Sequence, residues 1–212
     1  MSIKVEKRDF WGFRHAIRGM RNPLESHDKS DTKYDYVDGE PNKIGENDLA
    51  LMQKLYRAGT EHRKYMRQIM VSMDITAPLY WWKEFDTYKI GTVANSCSTM
   101  HRIHAKEFTL DDFSHEHLFT EESYKVLKTV IDALNEYRES YQKTKRKEWW
   151  WQMIQLLPSS YNQKRTVTMN YENAVTIIRQ RTGHKLDEWN VFVDELRELP
   201  FLEDICREND NV

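Results

Sequence analysis

The feature that most constrains this chain is an apolar stripe near its middle. Tyr124, Leu127, Val130, Ile131, Leu134, Tyr137 and Tyr141 recur three or four residues apart, the period of one helix face. The spacing predicts a helix of about 22 residues starting at Glu121. A helix that long, apolar on one side only, must lay that side against another layer. Seven Trp, eleven Tyr and eight Phe supply the apolar area for a core, although only 39% of residues are hydrophobic and 31% are charged. Intrinsic disorder is excluded. A length of 212 residues fits one domain, read here as residues 1–212 with an N-terminal strand and loop region over 1–45.

The remaining elements are shorter. Leu49, Met52, Leu55 and Tyr56 keep helical spacing, with Asn47 as N-cap and Gly59 as stop. Ile69, Val71, Met73 and Ile75 alternate with more polar residues, the period of a strand buried on one face. Pro78 suits the first turn of a helix running from Leu79 to Lys89. Gly91 to Thr99 is small, polar and broken, and reads as a loop. Trp149, Trp150, Met153, Ile154 and Leu157 mark another helix that ends at Pro158, and Gln163 to Met169 a strand. Asn170 caps a helix through Arg181 that stops at Gly183. Leu186, Trp189, Phe192, Val193 and Leu196 line the final helix. Asn22 to Gly45, with Pro23, Gly39, Pro41 and Gly45, reads as a long loop. The fold class is α+β, mostly helical.

Composition removes several classes of function. Lys and Arg number 32 against 34 Asp and Glu, a formal net charge of −2, so binding to nucleic acid or anionic membrane through global charge is not expected. No apolar run approaches the about 18 residues of a spanning helix. Cys97 and Cys206 are the only cysteines, which excludes a disulfide framework and a four-cysteine zinc site. The charged residues Lys4, Glu6, Lys7, Arg8 and Asp9 exclude a signal peptide over Met1 to Arg21. The expected setting is the reducing cytoplasm.

Motifs narrow the chemistry further. Neither GxGxxG, GxxxxGK[ST] nor GxSxG occurs. His101, His104, His115 and His117 lie near Asp111, Asp112 and Glu116, but the spacing matches no metal-ligand pattern. Lys143, Lys145, Arg146 and Lys147 precede Trp149, Trp150 and Trp151. That pattern describes either a solvated helix start ahead of core or partner-facing tryptophans, or a grip on single-stranded nucleic acid; the partner interface is preferred. Between Tyr80 and Arg102 the chain is dense in hydrogen-bonding groups: Glu84, Tyr88, Lys89, Asn95, Ser96, Ser98, Thr99, His101 and Arg102. Such a segment suits a ligand with phosphate and amide edges, or a capped polar connection; from this segment alone the capped connection is preferred.

The order of these segments resembles the flavin-dependent thymidylate synthase family. The resemblance rests on Gly59-Thr60-Glu61-His62, the alternating strand with Thr76-Ala77-Pro78, the aromatic stretch from Trp81 to Phe85, and Asn95-Ser96-Cys97-Ser98. It continues through Leu157-Pro158, Tyr161, the second strand, Asn170, Arg181 eleven residues beyond it, and His184 to Trp189. It spans roughly Leu49 to Leu199. What it implies is a mostly helical α+β fold with a small antiparallel sheet, assembled as a homotetramer that holds FAD and dUMP at subunit junctions. In that family the uracil ring is methylated from methylenetetrahydrofolate, with hydride supplied by reduced flavin. Carried over position by position, His62, Lys89 and Asn170 contact the flavin. Glu84, Asn95, Ser96, Ser98, Arg102 and Arg181 bind the nucleotide.

The chain also departs from the family pattern. Arg-His-Arg is replaced by Thr87-Tyr88-Lys89, and the arginine expected three residues before Leu157 is Ile154. An expected second Asn is Thr176, and the loop arginine falls at Met100 unless an insertion lets His101 or Arg102 serve. Each lost bidentate phosphate contact costs about 1.5–3 kcal/mol. The alternative reading is therefore a non-catalytic module on the same fold that binds a nucleotide, a nucleic acid or a protein, in a phage or mobile-element setting.

Overall fold

A computed structural model describes residues 3–35 and 37–207. In chain order the elements are β1 (Lys4–Trp11), α1 (Phe13–Arg21), β2 (Lys33–Tyr34), β3 (Pro41–Lys43), α2 (Glu46–Arg57), β4 (Met70–Pro78) and α3 (Leu79–Phe85). There follow β5 (Thr92–Ser96), α4 (Glu121–Thr144), α5 (Lys147–Leu156), β6 (Asn162–Asn170), α6 (Tyr171–Arg181), α7 (Asp187–Arg197) and α8 (Leu202–Cys206). About half the chain is helical, around a small antiparallel sheet with strand order β1-β4-β6-β5. A separate antiparallel pair joins β2 to β3, with Lys33 opposite Lys43 and Tyr34 opposite Pro41. None of the described helices is long and apolar enough to cross a membrane.

The chain divides into two compact units. One takes Asp74–Thr87 and Ala94–Thr166 with the N-terminal residues up to Lys4; the other takes Val5–Met73, Tyr88–Val93 and the chain from Val167 onward. In the first unit, α4 runs 24 residues and buries Leu127, Ile131 and Leu134, as the stripe requires. These join Ile103, Phe108, Phe113 and Met153 in one apolar cluster, each large side chain contributing about 1.5–3 kcal/mol on burial. Thr120 caps α4 by accepting from the Ser123 N–H. The tryptophans of α5 diverge. Trp149 stacks on Tyr137, Trp150 Nε1 donates to the Met100 carbonyl at 2.8 Å, and Trp151 stays exposed.

The second unit is built on aromatic and aliphatic side chains from α1, α2, α6, α7 and α8. Phe13 packs edge-on against Tyr171 and Phe201 at 5.5 and 5.4 Å. The helix α1 stands where only strand and loop were expected, and it buries Phe13, Ala16, Ile17 and Met20 on one face. Its cap comes from outside the helix: Glu40, far along the chain, accepts from the Gly12 and Phe13 N–H groups at 2.7 and 3.0 Å. Residues 22–45, read as one loop, contain two short 3-10 turns and the β2–β3 pair; Tyr36 within them lies outside the described residues.

Other boundaries also differ. The N-cap of α2 is Gly45, not Asn47, because Asp31 accepts from the Asn47 and Asp48 N–H groups in place of a local side chain. Pro78 ends β4 and precedes α3, which stops at Phe85 rather than Lys89. Residues 92–96 form β5, not loop; as an edge strand it is exposed along most of its length, so it carries no apolar alternation to read. By contrast, Asn170 caps α6 as expected, its Oδ1 accepting from the Asn173 N–H at 2.9 Å.

Candidate functional site

The second unit holds a polar recess of about 370 Å³ at the N-terminus of α6, lined by Thr60, Arg63, Arg67, Ile90, Gly91, Asn170, Glu172, Asn173 and Thr176. Three separated stretches of sequence meet there. Helix geometry explains the α6 side: Asn170, Asn173 and Thr176 are three residues apart, so they share the face at which the helix opens. Asn170 is 9% exposed. Asn173 reaches across to donate from Nδ2 to the Ile90 carbonyl at 2.7 Å, which fixes the turn after Lys89. Gly91 lets that turn approach. Its φ is +76°, and a Cβ there would stand 2.7 Å from both Asn170 Nδ2 and Asn173 Oδ1.

Two arginines and one carboxylate set the charge of this recess. Arg63 Nε donates to Glu172 Oε1 at 3.3 Å, and Arg67 Nε donates to Glu172 Oε2. Burial alone would raise the Glu172 carboxyl, but hydrogen bonds from Arg67 and Arg63 outweigh it and hold it below the usual carboxylate range. The wall of the recess carries two cations and one anion, with Glu61 acting on Arg67 from outside it, and the N–H groups of the α6 terminus add partial positive charge. Chemically, such a recess suits an anionic group together with amide edges.

Of the residues expected to contact a flavin, Asn170 lines this recess. Lys89 is exposed beside its Ile90 wall. His62 instead lines a different hollow of the same unit, about 700 Å³, with Met20, Pro23, Tyr65 and Gln68. Arg181, at the other end of α6, is half-buried. Its Nε donates to Tyr88 Oη at 2.9 Å, its Nη1 contacts His184 Nε2 at 3.1 Å, and its guanidinium lies 4.3 Å from the Trp189 ring centre. Within one chain His62, Asn170 and Arg181 therefore occupy three distinct places.

The first unit has its own recess of about 510 Å³, with Lys4, Cys97, Ser98, Arg102, Tyr161 and Lys164 in its wall. The turn after β5 is held from both sides: the Cys97 N–H donates to the Lys164 carbonyl at 2.9 Å and Gln163 Nε2 donates to the Cys97 carbonyl at 2.8 Å. Ser98 Oγ accepts from the His101 N–H at 2.9 Å. Arg102 is exposed at the rim, while Asn95 and Ser96 sit exposed on β5. Glu84 lies on α3, partly buried. No group of three or more His, Cys, Asp or Glu able to hold a metal occurs among the described residues.

Sequence reasoning missed Arg63, Arg67, Glu172, Asn173 and Gly91. Asn173 had a readable signal, since it follows a capping Asn by three residues. Arg63 and Arg67 had none, because their common partner lies 109 and 105 residues away.

No protein-family model matches the chain, and no curated protein matches it by sequence. Solved structures do match. The flavin-dependent thymidylate synthase of Helicobacter pylori complexed with FAD and dUMP aligns over 98% of both chains with a TM-score of 0.67 and 16% identity. A second structure of the Helicobacter pylori enzyme with FAD and dUMP gives 0.66 over 97% of each chain, at 16% identity. A UMP/dUMP methylase from Streptomyces cacaoi bound with 5-bromo-dUMP gives 0.61, covering 92% of this chain and 88% of that one, again at 16% identity. The chain thus has a flavin-dependent thymidylate synthase-like fold.

Proposed function

We propose that this protein binds FAD and dUMP and methylates the uracil ring with methylenetetrahydrofolate, as a cytoplasmic homotetramer of the flavin-dependent thymidylate synthase type. One observation carries the reading. Asn170, expected at the flavin, lines a recess together with Arg63 and Arg67, and Lys89 is exposed beside its wall. Its residues fit such a cofactor: guanidinium groups suit a diphosphate, amides suit the edges of a ring, and the missing side chain at Gly91 keeps the wall close. Bound flavin would supply hydride chemistry.

The chain's own residues bind and orient. Asn170 presents an amide at the recess, Lys89 adds a cation at its rim, and His62 contacts the flavin from a neighbouring copy's side of the assembly. For the nucleotide, Arg181 offers a planar fork held still by Tyr88 and Trp189. Glu84, Asn95, Ser96, Ser98 and Arg102 complete the contacts to the uracil and phosphate. Joining these groups around one ligand is the task assigned to the tetramer.

A second reading, a nucleotide-binding module without turnover, is favoured by one feature. Ile154 stands where a phosphate-pairing arginine is expected, and it packs against the apolar cluster of its unit. One assay separates the two. FAD-loaded protein, reduced with dithionite, is mixed with dUMP and methylenetetrahydrofolate, and thymidylate is sought by chromatography and mass spectrometry. The proposal expects thymidylate, and expects Arg181→Ala to weaken dUMP binding about tenfold to a hundredfold. Binding of both ligands without thymidylate supports the module; uptake of neither ends both readings.

A further inference from the structure

Arg63 and Arg67 project from the same 3-10 segment, Arg63–Gln68, and converge on one carboxylate. Glu172 is the second residue of α6, where the exposed N–H groups of the helix favour an anion. Its carboxylate therefore stands where a ligand's phosphate would meet both guanidiniums and the positive end of the helix. Each arginine uses only its Nε toward Glu172, so the Nη groups can turn to a further acceptor. The three side chains differ in freedom. Arg63 and Glu172 are 9% and 12% exposed, whereas Arg67 is 54% exposed and has room to swing between partners.

We propose that Glu172 is a built-in competitor of the ligand: the recess takes a diphosphate-bearing compound, and Glu172 sets its affinity by occupying Arg63 and Arg67. That the compound is FAD rests on the reading above; the competition itself does not. A diphosphate entering the recess exchanges one carboxylate partner for its own oxygens on both guanidiniums. Glu172 then faces the ligand as a like charge, so the recess discriminates against further anionic groups while still retaining its two cations. Glutamine at this position keeps the size and one acceptor oxygen but removes the repulsion.

The test titrates the full-length protein, Glu172→Gln and Arg67→Gln with FAD, riboflavin and inorganic pyrophosphate by calorimetry, with thermal melts of each variant. Glu172→Gln is expected to bind FAD and pyrophosphate about tenfold tighter, equivalent to about 1.4 kcal/mol, with riboflavin unchanged. Arg67→Gln, altered on an exposed arm, is expected to weaken FAD and pyrophosphate several-fold and leave riboflavin unchanged. If neither flavin binds but pyrophosphate does, with the same gain in Glu172→Gln, the competition stands and the flavin assignment falls. Unchanged or weaker pyrophosphate binding in a normally melting Glu172→Gln protein overturns the proposal, as does the lack of pyrophosphate binding in every variant.

Discussion

Asp48 carries more hydrogen bonds than any apolar neighbour can replace. Its side chain is fully buried beside Arg21 at 2.6 Å, and it also accepts from Ser30, Asp31 and both donors of Thr32. Burial alone would raise its carboxyl, but the bonds from Thr32, Arg21 and Ser30 outweigh that and lower it below the ordinary carboxylate range. A lowered folded-state value means stability that is complete above the unfolded-state value near about 4 and is lost as pH falls through the folded one. Asp48→Ala leaves Arg21 buried without its ion partner and is expected to cost about 3–5 kcal/mol in urea unfolding. It should also flatten the acid limb of the stability profile below about pH 4. A loss under about 1 kcal/mol would show that Arg21 finds another acceptor. At the same scale, Tyr88→Phe removes the oxygen that fixes Arg181 Nε. It is expected to weaken dUMP several-fold while shifting stability by about 0.5–1.5 kcal/mol; equal dUMP affinity would remove Tyr88 from the positioning of that arginine. Asn170 was readable as a cap because its partner, the Asn173 N–H, is near in the chain. Asp48, Arg63 and Glu172 were not, since a charge in a sequence carries no mark of a partner many residues away.

Among the elements, α6 does the most to place the recess. Asn170 serves it twice, as the cap of the helix and as part of the recess wall. Substitutions separate the roles. Asn170→Ala is expected to cost about 1 kcal/mol of stability through the lost cap, whereas Ser, itself a good cap, should keep it within a few tenths. Gly91→Ala is expected to destabilise by about 1 kcal/mol or more from strain at positive φ and to loosen the turn that Asn173 holds; unaltered thermal unfolding would count against that clamp. The elements legible from sequence, α4, β4, β6, α6 and α7, each bury one face, and burial is what leaves a period in the residues. Those that escaped have other causes. The edge strand β5 is exposed and α8 is a five-residue helix too short to show a repeat, whereas α1 carries the period in Phe13, Ala16, Ile17 and Met20 but lacks a local capping side chain to mark its start.

Across the whole molecule, a shared fold coexists with 16% identity to the three solved structures described above. What the chains hold in common is the fold, and a fold can persist while the side chains at its sites change. The fold was therefore more legible than the chemistry. Where the resemblance expects ligand-gripping groups the chain carries Thr87-Tyr88-Lys89, Ile154 and Thr176, with its strands and helices in place. The proposal for the whole molecule is that the recess at the start of α6 holds a flavin. Its most direct test is an equilibrium titration of FAD fluorescence quenching with the unmodified protein and with Asn170→Ser. Binding is expected to saturate in the micromolar range and to be at least about tenfold weaker in Asn170→Ser at matched thermal stability. Quenching that never saturates, or one affinity shared by both proteins, would contradict it.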